Sequence, residues 1–266
     1  MARSWIRRHR LAAFFTLAYA VAWVGLPFWA SGVLAEPLFL PCGPLVAALV
    51  VIGVTEGRPG LRAVGARMTR WRVGWSWWAV ALGLPPAMVL AAALLNSAAG
   101  AAAPAWPSWG GMALLFGLYL VNPLGGALGE EPGWRGYAQP CLQARRAPLV
   151  SALVLGVLVA GWHLPLVASG QLGLVGIVTT VAITVVYAWL FNRTGGSALI
   201  TLVAHALQDS FTFGALGYAA GDAMRVEYLY SVVVIAVAVG VVVLDRSAWT
   251  AAPESAVARS TGASKA

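Results

Sequence analysis

Residues 147–192 read APLVSALVLGVLVAGWHLPLVASGQLGLVGIVTTVAITVVYAWLFN, a run whose single ionisable side chain is His163. A bilayer's hydrocarbon core is about 30 Å thick and takes roughly 20 apolar helical residues to cross. The run is therefore long enough for two crossings, with Ser169, Gly170 and Gln171 as the turn between them. Its apolar residues are continuous rather than alternating, which selects helices over a barrel. The fold class that follows is all-α, a polytopic membrane protein.

Working outward with the same ruler gives about eight transmembrane helices. Leu11 to Gly32 is the first and Pro37 to Thr55 the second. Val73 to Gly129 holds two more, divided around Gly100, Pro104 and Pro107. The quoted run holds the fifth and sixth, Ser197 to Phe213 is the seventh, and Tyr228 to Leu244 the eighth and shortest. Composition agrees: of 266 residues 60% are hydrophobic and 10% charged, whereas a soluble domain carries roughly a quarter charged residues. Mean hydropathy is +0.80. These values exclude a soluble globular domain, a disordered chain, a disulfide-stapled secreted module and a coiled coil. Cys42 and Cys141 read as free thiols, since two cysteines this far apart make neither a disulfide framework nor a CxxC site.

The net charge of +8 comes from 17 basic residues spread along a hydrophobic chain. It sets membrane orientation rather than marking a nucleic-acid partner. Arg3, Arg7, Arg8 and Arg10 precede the first span. Arg58, Arg62, Arg67, Arg70 and Arg72 separate the second from the third, Arg135, Arg145 and Arg146 the fourth from the fifth, and Arg193 the sixth from the seventh. The alternate loops carry Glu36, nothing ionisable, nothing ionisable, and the mixed set Asp222, Arg225 and Glu227. A multi-pass protein of the cell membrane with both termini cytoplasmic is expected. Trp71, Trp75, Trp77, Trp78, Trp106 and Trp109 fall at span ends, where amphipathic rings favour the headgroup level.

Val33-Leu34-Ala35 resembles a signal-peptide cleavage site, but the preceding apolar run is longer than a signal core, so a retained first span is expected. Gly57 to Trp71 reads as an interfacial helix or a solvated loop. The organisation is then a basic cytoplasmic arm over 1–10, one transmembrane domain over 11–246 and a disordered cytoplasmic tail, rich in Ala and Ser, over 247–266. Internal repeats, a glycine-rich phosphate loop, a GxSxG elbow and an HExxH motif are all missing from the sequence.

An Asp at the centre of a spanning helix costs roughly 2.5–3.5 kcal/mol on insertion scales, so ionisable groups in apolar runs are informative. Here they are Glu130 and Glu131 after the fourth span, His163 in the fifth, and His205 and Asp209 in the seventh, with Arg135 beside the first pair. In Glu130-Glu131-Pro132-Gly133-Trp134-Arg135 the proline suits a first helical turn, so a helix is expected to start near Glu130. Glu131 and Arg135, four apart, would pair along one face, while Glu130 points about 100° away and stays free. Two acids capping a helix N-terminus is the plainer alternative. His163 alone could be a packing histidine, and His205 and Asp209 share a helical face through their i, i+4 spacing. A carboxylate and two histidines facing one cavity can activate water, assist proton transfer or stabilise an oxyanion, or hold a metal. All three point to hydrolysis, with water as nucleophile, because no serine or cysteine is placed beside a base. Nothing in the spacing of Tyr187, Asn192, Asn96 or Asn122 adds chemistry.

These residues resemble the CPBP intramembrane proteases, which include the type II CAAX prenyl endopeptidases and bacterial proteins linked to bacteriocin processing and immunity. The family pattern is EExxxR, then FxxxH, then HxxxN or HxxxD on successive membrane helices. The chain shows Glu130, Glu131 and Arg135, then His163, then His205 and Asp209, within a core of about 124–211. The resemblance implies eight membrane helices around a membrane-embedded, cytoplasm-facing cavity, and endopeptidase activity. It implies that Glu130 and His163 activate water, that His205 and Asp209 stabilise the oxyanion, and that Glu131 and Arg135 support the site. Members have also been described as metalloproteases, so Glu130, His163, His205 and Asp209 would be the ligands of any divalent metal such as zinc. No cofactor is otherwise called for.

Two departures stand out. Val159 occupies the FxxxH phenylalanine position, and Asp209 stands where many members carry Asn. An ionised carboxylate accepts but cannot donate to an oxyanion. Asp209 is therefore expected to orient His205, with a protonated donor role or metal ligation as the alternatives. The partners expected are the lipid bilayer and a membrane-associated or prenylated-type peptide or protein substrate, and no nucleic acid. Two other functions fit the same residues: a non-catalytic bacteriocin-immunity or membrane scaffold protein, and a proton-coupled transporter, which would show broken helices and repeated halves.

Overall fold

The computed structural model describes residues 2–211 and 216–250, and every regular element among them is helical. Eight apolar helices of twelve or more residues occupy the eight apolar segments. They are α1 (Arg10–Ala22), α2 (Gly43–Thr55), α3 (Trp75–Ala98), α4 (Trp109–Val121), α5 (Pro148–Trp162), α6 (Leu174–Arg193), α7 (Ala198–Asp209) and α8 (Ala220–Leu244). Three of them, α3, α6 and α8, are long and apolar enough to cross a membrane by themselves; the other five are shorter. Their starts follow local chemistry. Ser108 and Ser197 accept from the backbone N–H of Gly111 and Ile200 as N-caps of α4 and α7. Pro44 and Pro148 sit in the first turns of α2 and α5, where a missing N–H costs nothing.

The surface is apolar where a soluble protein's would be charged. Leu90, Leu94, Leu114, Val157, Val178, Val232 and Val239 all point outward from their helices, as expected when lipid replaces water. Trp71 and Trp75 are exposed before and at the start of α3, Trp106 and Trp109 before and at the start of α4. Trp77 instead turns inward, edge-on to Trp189 at 5.3 Å, with the Arg193 guanidinium 5.7 Å from its ring centroid.

Two ends of the bundle can be told apart by contacts between loops. At one end Arg10 pairs with Glu56 (3.3 Å), Arg193 with Asp245 (3.1 Å), and Ser197 Oγ donates to the Arg70 carbonyl (2.7 Å). At the other, Asn96 Nδ2 donates to the Asp222 carbonyl (3.1 Å) and the Ala105 N–H to the Leu216 carbonyl (2.9 Å). The arginine clusters of the sequence gather at the first end.

Several boundaries differ from expectation. The first segment breaks at Ala22 and resumes as the short helix Leu26–Ala30. The chain passes closely by Leu38 at the break, where a Cβ on Gly25 would collide with that of Leu38. α8 starts at Ala220 rather than Tyr228, because the charges read as loop are paired: Arg225 Nη2 donates to Asp222 Oδ1 and Arg225 Nε to Asn96 Oδ1, both at 2.7 Å. Arg58–Met68 is a helix, and Arg67 donates to the Gly136 carbonyl at 3.0 Å. The segment read as a tail begins with a further helix, Ser247–Thr250, in which Ala248 and Trp249 are buried. Residues 251–266 lie outside the described residues, as does Phe213 at the end of the seventh segment. Cys42 and Cys141 are free.

The segment carrying the double acid is a separate helix, Ala127–Gly133, continued by a π turn over Trp134–Ala138 and the helix Gln139–Gln143. It starts three residues before the expected Glu130, after Gly126 at φ +113°, so Pro132 lies inside the helix rather than in its first turn. There Pro132 has no N–H to give the Leu128 carbonyl, and the ladder shifts to the wider π spacing immediately afterwards. Glycine seats this helix. A Cβ on Gly129 would meet the Pro123 carbonyl at 2.2 Å and the Pro41 carbonyl at 2.8 Å, and one on Gly133 the Pro44 carbonyl at 2.5 Å. Four apart, they form a small-xxx-small face that lets backbones touch. Gly133→Ala should therefore lower stability by about 1–3 kcal/mol through overpacking. Gly83→Ala, whose Cβ meets nothing within 4 Å, should stay within about 0.5 kcal/mol of the parent. Thermal unfolding of both variants in detergent checks this.

Candidate active site

The helix Ala127–Gly133, the C-terminal end of α5 and the second half of α7 bring the predicted residues to one cavity of ≈ 380 Å³. Glu130, Arg135, His163, His205 and Asp209 all line it. Glu131 stands behind them, completely buried.

Glu131 is the hub. Its Oε1 accepts from Arg135 Nη1 at 2.9 Å and faces His205 Nδ1 at 2.9 Å. The pairing of Glu131 with Arg135 follows the four-residue spacing, although it crosses from the α-helix into the π turn. The bond to His205 joins residues 74 apart in the chain, and no local spacing points to it. Arg135 is buried too, with its guanidinium 5.1 Å from the Tyr187 ring centroid. That ring lies 5.4 Å from the His205 ring, and its hydroxyl donates to Gln208 Oε1 at 2.6 Å. Tyr187, whose spacing in the sequence points to no role, is thus the platform beneath both partners of Glu131.

Glu130 takes a different environment from its neighbour, as the turn of the helix requires. Its Oε2 accepts from the Trp134 indole N–H at 3.2 Å, and no cation pairs with it among the described residues. Trp134 is fully buried and belongs to a ring chain that reaches the first histidine: Trp134 to Trp162 at 5.6 Å, Trp162 to His163 at 4.8 Å, and Phe39 to His163 at 6.2 Å, near parallel. The position that lacks a phenylalanine, Val159, contributes its backbone instead. His163 Nδ1 lies 2.9 Å from the Val159 carbonyl, which can only accept. The N–H must then be on Nδ1, and the Nε2 lone pair is left available. Phe39, arriving from the loop before α2, supplies an aromatic wall against His163.

His205 has a carboxylate at each nitrogen, Glu131 at Nδ1 and Asp209 Oδ2 at 3.5 Å from Nε2. The closer contact is Glu131, so the group expected to orient His205, Asp209, is its second neighbour rather than its first. Asp209 is also the more open of the two, with a side chain 25% exposed. As for a metal, no three His, Cys, Asp or Glu side chains among the described residues are arranged so that they could hold one. Glu131 and the backbone already engage one nitrogen of each histidine.

The far wall of the cavity is Gln171, Leu172 and Gly173, the first turns of α6, and Glu227 and Tyr230 of α8. These belong to the end of the bundle away from the arginine clusters, whereas the resemblance implies a mouth on the arginine side.

Residues 112–211 match the family model of the type II CAAX prenyl endopeptidase, Rce1-like. Over these residues the chain is similar to that endopeptidase family. No curated protein matches the chain. The matched region starts twelve residues ahead of the core read from the motifs and ends at the same Phe211, taking in all six candidate residues. It leaves α1, α2, α3 and α8 outside, although Phe39, Gly43 and Pro44 from the first of these segments shape the site.

The burial of the hub generates a stability prediction. Arg135→Leu strands the Glu131 carboxylate with one partner, and breaking a buried pair in this way typically costs about 3–5 kcal/mol. Glu130→Gln keeps an acceptor for the Trp134 indole and should change stability by less than about 1 kcal/mol. Denaturation in mild detergent should separate the two variants clearly.

Proposed function

We propose that the protein is an intramembrane endopeptidase of the CAAX-protease type, crossing the membrane eight times with both termini cytoplasmic. The observation that carries this reading is the division of labour between the two adjacent glutamates. Glu131 is consumed in holding Arg135 and His205, while Glu130 keeps a carboxylate facing the cavity with only an indole donor on it.

In the reaction proposed, a water in the cavity donates one hydrogen to Glu130 and the other to His163 Nε2, whose acceptor state follows from the Val159 carbonyl at Nδ1. Its lone pair is then directed at the substrate carbonyl, and Glu130 takes the proton as the bond forms. His205, held at Nδ1 by Glu131, presents Nε2 to the developing oxyanion, and in its protonated form it donates from both nitrogens. Asp209 is the acceptor that Nε2–H faces before substrate arrives. Proton transfer from Glu130 to the leaving nitrogen completes the cleavage. The substrate class supported is a membrane-associated or prenylated-type peptide, since the lining combines Val159, Leu166, Val175 and Ile183 with the polar site.

Peptide termini in membranes of cells expressing the wild type and variants at equal levels test this without a chosen substrate. Glu130→Gln and His163→Ala should each lower wild-type-dependent termini by about 10²–10⁴-fold, the usual worth of a general base. Asp209→Asn should retain cleavage within about tenfold, because Glu131 remains on His205 Nδ1. Equal termini from wild type and Glu130→Gln would favour a non-catalytic immunity or scaffold protein.

A further inference from the structure

Stabilising an oxyanion takes hydrogen-bond donors aimed at one point, and in the reaction proposed above His205 Nε2 is the one donor named. Asp209 beside it cannot add another while ionised, because a carboxylate only accepts. Several other donors on the lining are already engaged. His163 gives its Nδ1 hydrogen to the Val159 carbonyl, and Thr179 and Thr180 donate to the Val175 and Gly176 carbonyls of their own helix at 3.0 and 2.8 Å.

Gln208 differs. It lines the cavity on α7, one turn beyond His205. A helix turns about 100° per residue, so positions 208 and 209 project about 60° to one side and about 40° to the other of the His205 direction. Side chains three or four apart have Cβ atoms about 5–6 Å from each other, near enough for both to reach one oxygen. Tyr187 fixes which end of the Gln208 amide is used, since its hydroxyl donates to Oε1 at 2.6 Å. The amide cannot turn over without losing that bond. Its other end, Nε2, carries two hydrogens, and no acceptor for them is present among the described residues. Tyr187 itself is buried and packed against both Arg135 and His205. The ring that lies under the His205 imidazole therefore also orients the Gln208 amide, from 21 residues earlier in the chain.

We infer that Gln208 is a further catalytic residue: its Nε2 hydrogen-bonds the substrate carbonyl oxygen beside His205 Nε2 as negative charge develops there. The inference rests on the endopeptidase reading for the reaction it serves. Gln208 makes and breaks no covalent bond and exchanges no proton. Its hydrogen bond shortens as the water oxygen adds to the carbonyl carbon, and it lengthens when the carbonyl re-forms and the leaving nitrogen departs with the proton from Glu130.

The test uses the full chain purified in mild detergent and a synthetic peptide spanning the bond that Glu130-dependent termini identify. Gln208→Met, close in shape but without donor or acceptor, should lower kcat about 10²–10³-fold, the usual worth of an oxyanion donor. KM should stay within about threefold, because the interaction strengthens only in the transition state. Adding Asp209→Asn to that variant moves an amide donor to the adjoining position and should recover about tenfold or more of the loss. A Gln208 that only braced Tyr187 would give no such recovery. A kcat within about threefold of wild type, a loss confined to KM, or a loss that Asp209→Asn does not relieve each overturns the inference and leaves the endopeptidase reading standing. Where Gln208→Met does not fold, Gln208→Glu takes its place with the same expectations, since it keeps an acceptor for the Tyr187 hydroxyl and removes the donor. If no terminus depends on Glu130, the endopeptidase reading fails and the inference falls with it.

Discussion

A single carboxylate oxygen buried in the middle of an apolar bundle governs the site. Glu131 Oε1 is met at 2.9 Å by Arg135 and at 2.9 Å by His205, and a charge in so dry a place persists only when it is paired and hydrogen-bonded. Meeting that requirement fixes much else. The π turn that carries Arg135 and the second half of α7 that carries His205 must be held at a set distance from one helix. Tyr187 fills the space under both. Glu130, one residue along, is rotated away from all this and into the cavity. The same constraint sets His205 by one nitrogen and leaves the other to face Asp209.

Backbone contact supplies the precision that the ionic hub needs. Gly129 and Gly133 put the Glu-Glu helix directly on the carbonyls of Pro41, Pro123 and Pro44, with no side chain to give way between them. Rings take over from there. Trp134, Trp162 and Phe39 connect the donor on Glu130 to the flank of His163, so the two groups proposed to handle water share one rigid aromatic wall. Most apolar packing in the protein faces lipid or fills space between helices. This wall fills space between helices and lines the candidate site as well.

The eight apolar segments, and the six candidate residues that the structure gathers at one cavity, were legible in the sequence for one reason: in a chain this poor in charge, an uninterrupted apolar run and an ionisable group within it both stand out. The pairing of Glu131 with Arg135 was legible because it is local. What stayed hidden is of two kinds. Trp134, Tyr187 and Phe39 are aromatic residues among many, and nothing in a hydrophobic sequence separates a ring that only packs from a ring that packs against a candidate site residue. The Val159 carbonyl and the bond from Glu131 to His205 depend on tertiary approach. Proline misled at one point, since Pro132 reads as a first-turn residue but lies inside a helix that Gly126 starts. Asp222 and Arg225 misled at another, since charges that satisfy each other, and Asn96, need not end a helix.

Asn192 has a consequence for the order in which the fold can close. Gln139 Nε2 and Gln143 Nε2 donate to its Oδ1, and its Nδ2 donates to the Ala248 carbonyl, so one amide side chain joins three segments of the chain. Ala248 lies 56 residues after Asn192, and the two glutamines can engage Asn192 without it. The short helix Ser247–Thr250 is a clasp laid over contacts that do not need it to form.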